Sequence, residues 1–339
     1  MFDNDDWLNQ HREAVIDPDR EIVDPHHHLW PKGNERGIVY DLDDLWRDTD
    51  DGHKVTQTLF MECGAAYRES GPEHLKPVGE TEFVAKAATL SKTGLGKTTI
   101  SALIAHADLR LPEETLDEVL DAHIEASNGL FRGIRHSGPF DRASEHFRIR
   151  PRSPEGLYRG EGFRRGVERL GARGLTYDTW NYHHQISDFR DLAADVPGTT
   201  IILDHFGTPL GVGPYEGKRE ENFGKWQDDI AAVAECPNVF MKLGGLAMPD
   251  NGFGWHERDT PPSSDEFVEA QAKYYHHTIR CFGPDRCMFE SNFPVDRLSL
   301  SYRTLWNGLK KIAADYTETE QQAMFARVAR QVYSVDAPL

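Results

Sequence analysis

Three short segments of this chain hold the residue types that carbonyl chemistry uses. The first is Asp24-Pro25-His26-His27-His28-Leu29-Trp30, which closes a β-branched run beginning at Glu21. Side chains alternate faces along a strand, so His26 and His28 project to one side and His27 to the other. Two imidazoles on one side can bind a divalent ion or polarise a carbonyl oxygen. A solvated histidine turn is the plain alternative, and the position at a strand end argues against it. The second segment is Ile201-Ile202-Leu203-Asp204-His205-Phe206-Gly207, an apolar run ending in a polar pair and a turn-forming glycine. A histidine there serves as metal ligand or general acid/base, unless Asp204 only caps the next segment and His205 is incidental. The third runs from Arg286 to Asp296 through Glu290-Ser291-Asn292-Phe293-Pro294. Glu290 and Asn292 share a face, where a carboxylate is either a base or an acceptor for a buried cation.

Other side chains suggest a binding wall. Arg135 ends the run Gly129 to Arg135, and its guanidinium fork suits a carboxylate. Its bland role is an ion pair with one of 56 acidic residues. Trp30, Trp180 and Phe293 offer aromatic surface, although buried aromatics are commonly core. His183 and His184 beyond Trp180, and His106 with Asp108, can complete a metal site; each alone reads as a supporting or surface residue.

The elements that must position these groups follow from periodicity. Strand-like runs occupy Glu21 to Pro25, Val55 to Cys63, Thr99 to Ala105, Gly129 to Arg135, Leu175 to Thr179, Thr200 to Asp204, Val239 to Leu243 and Arg286 to Glu290. Amphipathic helical patterns lie between them. Pro112 to Ala126 has proline and two glutamates in its first turn and Leu116, Val119, Leu120 and Ile124 on one face. Others are predicted over Gly79 to Ser91, Ile186 to Asp195, Gly224 to Glu235, Ser263 to Phe282 and Ser299 to Asp315. Thr317-x-x-Glu320 starts a terminal helix. This alternation predicts an α/β fold, a distorted (β/α)8 TIM barrel, as one domain over 21–339 behind an N-terminal arm of residues 1–20. Long loops are expected over Trp30 to Lys54, His136 to Gly171 and Phe206 to Phe223, with Gly211 to Tyr215 as a lid.

The 339 residues carry 38 Lys plus Arg against 56 Asp plus Glu, a formal charge of −18. Such a chain is expected to bind neither nucleic acid nor anionic membranes. No apolar stretch approaches the ~20 residues of a membrane span. The acidic start Met1-Phe2-Asp3-Asn4-Asp5-Asp6 has no secretory pattern, and four cysteines without a C-x-x-C pair fit a reducing compartment, so a cytoplasmic location is expected.

The three segments, in this order, resemble the amidohydrolase superfamily, specifically the amidohydrolase-2 branch that includes sugar-acid and pyrone-dicarboxylate lactonases. Phe60-Met61-Glu62-Cys63-Gly64, Gly133-Ile134-Arg135-His136, Tyr177-Asp178-Thr179-Trp180 and Lys242-Leu243-Gly244-Gly245 are similar to the same branch. The resemblance spans about Ile22 to Tyr333 and implies a distorted (β/α)8 barrel. It maps the family's histidines onto His26, His28 and His205, which are also the metal ligands if one divalent ion, zinc or manganese, is bound. Metal-free chemistry stays equally open.

The departure is at strand eight, where the family's water-activating Asp is replaced by Asn292. An amide has no useful basicity near neutrality. Glu290, Glu62 and Asp296 are candidate replacements, Glu290 lying deeper in the strand and Glu62 better placed to touch substrate. The resemblance thus implies a hydrolase opening a lactone or related cyclic carboxylic-acid derivative. Catalytic groups would be His26, His28, His205, Glu62 and Asn292; Arg135, Trp30, Trp180, His183 and Phe293 would bind a small, carboxylate-bearing substrate. Alternatives are a metal-dependent decarboxylase on the same barrel and a non-catalytic ligand-binding relative. The sequence is compatible with a homo-oligomer.

Overall fold

The computed structural model describes residues 2–33, 37–150 and 153–337. The remaining positions of the loops expected at Trp30 to Lys54 and His136 to Gly171, and residues 338 and 339 of the expected domain, lie outside the described residues.

Eight parallel strands form one sheet in sequential order. They are β1 (Glu21–His27), β2 (Lys54–Met61), β3 (Thr99–Ala105), β4 (Phe131–Arg135), β5 (Thr176–Thr179), β6 (Ile201–Leu203), β7 (Val239–Leu243) and β8 (Cys287–Phe289). The sheet curls until β8 reaches β1: the His28 amide donates to the Phe293 carbonyl at 2.8 Å, and the Ser291 amide to Asp24 Oδ1 at 2.9 Å. With helices following the strands, the architecture is a (β/α)8 TIM barrel. All eight strands fall within a few residues of the sequence expectation.

Helices α1 (Asp5–Leu8), α2 (Leu42–Thr49), α3 (Val78–Ser91), α4 (Glu113–Ala126), α5 (Glu161–Ala172), α6 (Ile186–Asp195), α7 (Arg219–Ala234), α8 (Ser264–Phe282), α9 (Tyr302–Ala313), α10 (Glu318–Gln322) and α11 (Val328–Val332) accompany them. Two of these correct the expected loops. The stretch before β2 contains α2, begun by an Asp41–Asp44 capping box and anchored by buried Leu42 and Leu45. The stretch before β5 contains α5, whose Phe163, Val167 and Leu170 are buried. Glycines at 162, 166 and 171 obscure that helix in the sequence, yet Gly166 is needed: a Cβ there would meet the Leu109 carbonyl oxygen at 2.0 Å. Helix α7 starts at Arg219, ahead of Gly224, with Glu220 and Glu221 in its first turn.

One core lies between the strands and the helical shell. A second forms where Ala323, Ala326, Val328, Ala329 and Tyr333 of the C-terminal segment meet Val23, Leu59, Ile104, Ile202 and Met288 of the barrel. The N-terminal arm is pinned from the loop after β8: Arg297 donates to the Phe2 carbonyl and pairs with Asp5 and Asp48. Phe2 packs on Trp30 at 5.8 Å between ring centres. Among the described residues no helix is long and apolar enough to cross a membrane.

Candidate active site

Strand β1 delivers the two histidines as its alternation requires. His26 and His28 point inward with their Nε2 atoms 3.2 Å apart, whereas His27 faces away onto the Phe60 ring. His205 arrives from the end of β6, its ring centre 4.7 Å from that of His26. It adopts φ +56°, and Phe206 and Asn292 also have positive φ. Left-handed backbone at non-glycine residues costs energy and is held here by the surrounding packing.

Glu290 sets the orientation of two rings. Its Oε1 accepts from His205 Nδ1 at 2.7 Å, and its Oε2 lies 2.7 Å from His26 Nδ1. The third ring is fixed by the Met61 carbonyl, which accepts from His28 Nδ1 at 2.8 Å. His28 and His205 thus carry the proton on Nδ1 and leave Nε2 available for a ligand or substrate, whereas His26 Nδ1 lies near Glu290 Oε2 without an aligned hydrogen bond. The sequence expectation that Glu290 sits deeper and supports other groups agrees with this placement. Room for the arrangement comes from Gly244 and Gly245. A Cβ on Gly245 would lie 2.2 Å from His205 Nδ1, and one on Gly244 would lie 2.5 Å from Glu290 Cγ.

Burial and the neighbouring Lys242, His205 and His28 hold the His26 imidazole well below its ordinary pKa. Burial and Arg135 do the same to His28. At His205 burial again opposes the cation, but the Glu290 carboxylate outweighs it, with help from Asp204 and Asp296, and the pKa is raised.

Arg135 reaches this cluster from the end of β4. Its Nε donates to Glu62 Oε1 at 2.8 Å, its Nη2 to the Glu62 carbonyl, and its Nη1 lies 3.3 Å from His26 Nε2. Among the carboxylates here Glu62 keeps some exposure, 14% of its side chain, while Glu290 and Asp296 are fully buried. Asn292 Nδ2 donates to Asp296 Oδ1 at 2.9 Å, and the Ala247 amide donates to Asp296 Oδ2 at 3.2 Å. Burial pushes the Asp296 carboxyl up to about 7. Its neighbour Arg297 is turned away to Asp48 and the arm.

The aromatic candidates divide. Trp30 stands 5.5 Å from the His28 ring. Trp180 packs edge-on against Tyr182, within a cluster with Phe147 and Leu210. His183 accepts from the Leu210 amide at 3.3 Å and packs on Tyr215. Tyr215, in the loop expected to be a lid, donates to Asp141 at 2.6 Å and so ties that loop to the one after β4. Phe293 is fully buried against Tyr302, and its carbonyl closes the barrel. His106 Nδ1 donates to the Arg135 carbonyl at 3.0 Å. A cavity of about 150 Å³ lies elsewhere, between the arm and α9, lined by Arg12, Arg47, Asp48, Asp51, Arg297 and Arg303. Those arginines are already paired with aspartates, so we place the chemistry at the histidines.

The sequence reading assigned no role to Asp178, Lys242 or Tyr333, which lie below the histidines. Lys242 Nζ is 3.0 Å from Asp178 Oδ2 and 3.2 Å from Asp204 Oδ1. Tyr333 donates to Asp178 at 2.5 Å. The signal was present: an Asp or Lys in the middle of an apolar strand of a barrel must be paired inside it.

Divalent-ion binding can be tested against these donors. His26 Nε2 and His28 Nε2 converge to 3.2 Å, and imidazole nitrogens brought together in this way are donors that fit a divalent ion. His26, Asp204 and His205 also bring ligand atoms within 4.8 Å of one another.

Known proteins bear on the barrel and its site together. The family described as amidohydrolase matches residues 23–335. The uncharacterized protein y4mH of Sinorhizobium fredii is 32% identical over 94% of this chain and 99% of its own length. The L-fucono-1,5-lactonase of Burkholderia multivorans is 24% identical over 81% of this chain and 89% of that enzyme. A crystal structure of a zinc-bound amidohydrolase from Burkholderia multivorans superposes with a TM-score of 0.71 at 21% identity, covering 93% of this chain and 99% of that one. Because the family match runs from inside β1 to beyond α11 and encloses every histidine of the site, this chain belongs to the amidohydrolase family.

Proposed function

We propose that this protein is a hydrolase that opens a lactone ring by attack of water on the ring carbonyl. The observation carrying the reading is the cluster of three imidazoles at the strand ends, His28 and His205 anchored through Nδ1 and His26 between them beside Arg135. Donors preset toward a developing oxyanion stabilise it without reorganising during the reaction. His205, made more basic by Glu290, donates from Nε2, and Arg135 adds positive charge. A divalent ion held by the imidazole nitrogens would polarise the same carbonyl.

Glu62 is the candidate base. It stays partly exposed, and Arg135 holds it beside His26. Asn292 gives its Nδ2 to Asp296, so its Oδ1 is turned the other way and can orient, but not deprotonate, the water. Water oxygen bonds to the carbonyl carbon, the ring C–O bond breaks, and the ring oxygen leaves as a hydroxyl carrying a proton. The lactonase relative supports the substrate class, and a sugar-acid 1,5-lactone is the first substrate to try. Trp30 and, more distantly, Trp180 and His183 would bound the substrate. The experiment is acid release from L-fucono-1,5-lactone by wild type, His28→Ala and His205→Ala. Turnover that falls at least ~100-fold in each variant, the loss of a few kcal/mol of oxyanion stabilisation, supports the proposal. Unchanged turnover in either variant refutes it.

A further inference from the structure

The floor of the barrel holds a charge network of which the proposed reaction uses only Glu290. Asp178, Asp204, Lys242 and Glu290 are all fully buried. Each carboxylate oxygen among them has a cation or donor atom within 3.5 Å, although Asp204 Oδ1 and Glu290 Oε2 make no aligned hydrogen bond. Glu290 is taken by the two imidazoles. Asp178 receives Thr176 Oγ1 at 3.1 Å on Oδ1, and Tyr333 and Lys242 on Oδ2. Asp204 has Lys242 Nζ 3.2 Å from Oδ1 and Arg135 Nη1 3.5 Å from Oδ2.

This arrangement decides what Asp204 can ligate. A divalent ion bonds a carboxylate oxygen at about 2.1 Å. On Oδ1 it would therefore lie no more than about 5.3 Å from the Lys242 ammonium, given the 3.2 Å contact. Arg135 Nη1 stands 3.5 Å from Oδ2 and 3.3 Å from His26 Nε2, so it weighs on both places alike and the discrimination falls to Lys242, which contacts Asp204 directly. Both cations are fixed, and the low-dielectric interior does little to screen them. Lys242 cannot withdraw, because Asp178 and Asp204 hold it from two sides and the strand β7 fixes its backbone.

We infer that Lys242 is a built-in cation that replaces a metal ion at Asp204, so that Asp204 is not a metal ligand and any ion is confined to the imidazole nitrogens of His26, His28 and His205. The lysine supplies permanent positive charge beneath the site, and Tyr333, just past the C-terminal helix α11, holds its Asp178 partner in place. Capacity for ions is then one per chain or none. The inference is independent of which carbonyl compound the enzyme takes.

The test counts ions rather than turnover. Wild type, Lys242→Met, Lys242→Arg and Asp204→Asn are titrated with Zn²⁺ and with Mn²⁺, followed by native mass spectrometry and by the shift in Tm. Wild type is expected to hold one ion or none, and Lys242→Arg to match it. Lys242→Met is expected to hold one more ion per chain, or to bind at least ~10-fold more tightly, with a metal-dependent rise in Tm. Asp204→Asn is expected to leave any wild-type affinity within a few-fold. Two ions on wild type, a folded Lys242→Met with unchanged stoichiometry and affinity, or a loss of ~10-fold or more in Asp204→Asn overturns the inference. Should Lys242→Met not fold, Lys242→Gln, which keeps a donor toward the two carboxylates, takes its place, with the same gain in binding expected and unchanged binding overturning the inference. Lactone turnover enters none of these readouts, so failure here is distinguishable from failure of the lactonase reading.

Discussion

Glu290→Gln probes the anchor on which the imidazole arrangement depends. The carboxylate accepts from His205 Nδ1 at 2.7 Å and lies 2.7 Å from His26 Nδ1. Glutamine keeps one acceptor oxygen and presents an N–H in place of the other. One imidazole therefore keeps its anchor while the second Nδ1–H meets a donor and must rotate or change tautomer. A hydrogen bond to a charged group is worth about 1.5–3 kcal/mol. With about 1.4 kcal/mol per tenfold in rate, losing one such bond lowers kcat/KM by about 10- to 150-fold. The side chain is nearly isosteric, so a fold change is not the cause if Tm stays close to wild type. A second consequence has a definite sign. Glu290 raises the His205 pKa, so without its charge the imidazolium donor is lost at lower pH, and the alkaline limb of the kcat/KM profile moves downward. Initial rates of acid release across pH 5–9 measure both effects. A variant with kcat/KM within twofold of wild type and an unmoved alkaline limb would refute the anchoring argument.

Three further outcomes are expected. Gly245→Ala places a methyl 2.2 Å from His205 Nδ1 in backbone at φ +71°, so it should displace that ring and cut activity more than tenfold; steady-state kinetics with a Tm control checks this. Glu80 accepts from the Cys63 and Ala65 amides, and burial and the nearby Glu62 push its carboxyl up to about 8. Between its ordinary value of 4.5 and that pH the folded state binds more protons than the unfolded state, so the contribution of Glu80 to stability declines as pH rises from about 4.5 to 8. Glu80→Gln should flatten this decline in Tm measurements. Below about pH 6.5 the buried histidines 27, 53 and 136, each lowered by burial to about 3, act oppositely and make the protein lose stability on acidification. Arg297→Met leaves Asp48 buried without its cation and frees the arm; destabilisation by about 3–5 kcal/mol in urea unfolding and faster proteolysis within residues 2–20 are expected.

The barrel was legible because strands buried on both faces read as short apolar runs with helices between them. Helices α2 and α5 were hidden for a local reason: aspartates and glycines give them the composition of loops, and only tertiary contacts at Leu45 and Gly166 account for them. The histidines were legible because strand parity fixes which side chains converge. Their anchors were partly so, since Glu290 follows from the same parity, whereas Arg135 turned inward to Glu62 rather than presenting a free fork. Lys242 and Asp178 were visible as charges inside apolar strands, but which partners they meet depends on the barrel's register. The Asn292–Asp296 contact arises from a turn after β8, and no periodicity announces it.

The most direct test of the central claim is a single assay. Purified protein, with and without added Zn²⁺, is mixed with L-fucono-1,5-lactone in weak buffer, and acid release is followed alongside that of His205→Ala. The account predicts one acid equivalent per lactone, catalysed by wild type and reduced at least ~100-fold in the variant. Equal rates for the two proteins, above the uncatalysed background, would contradict it.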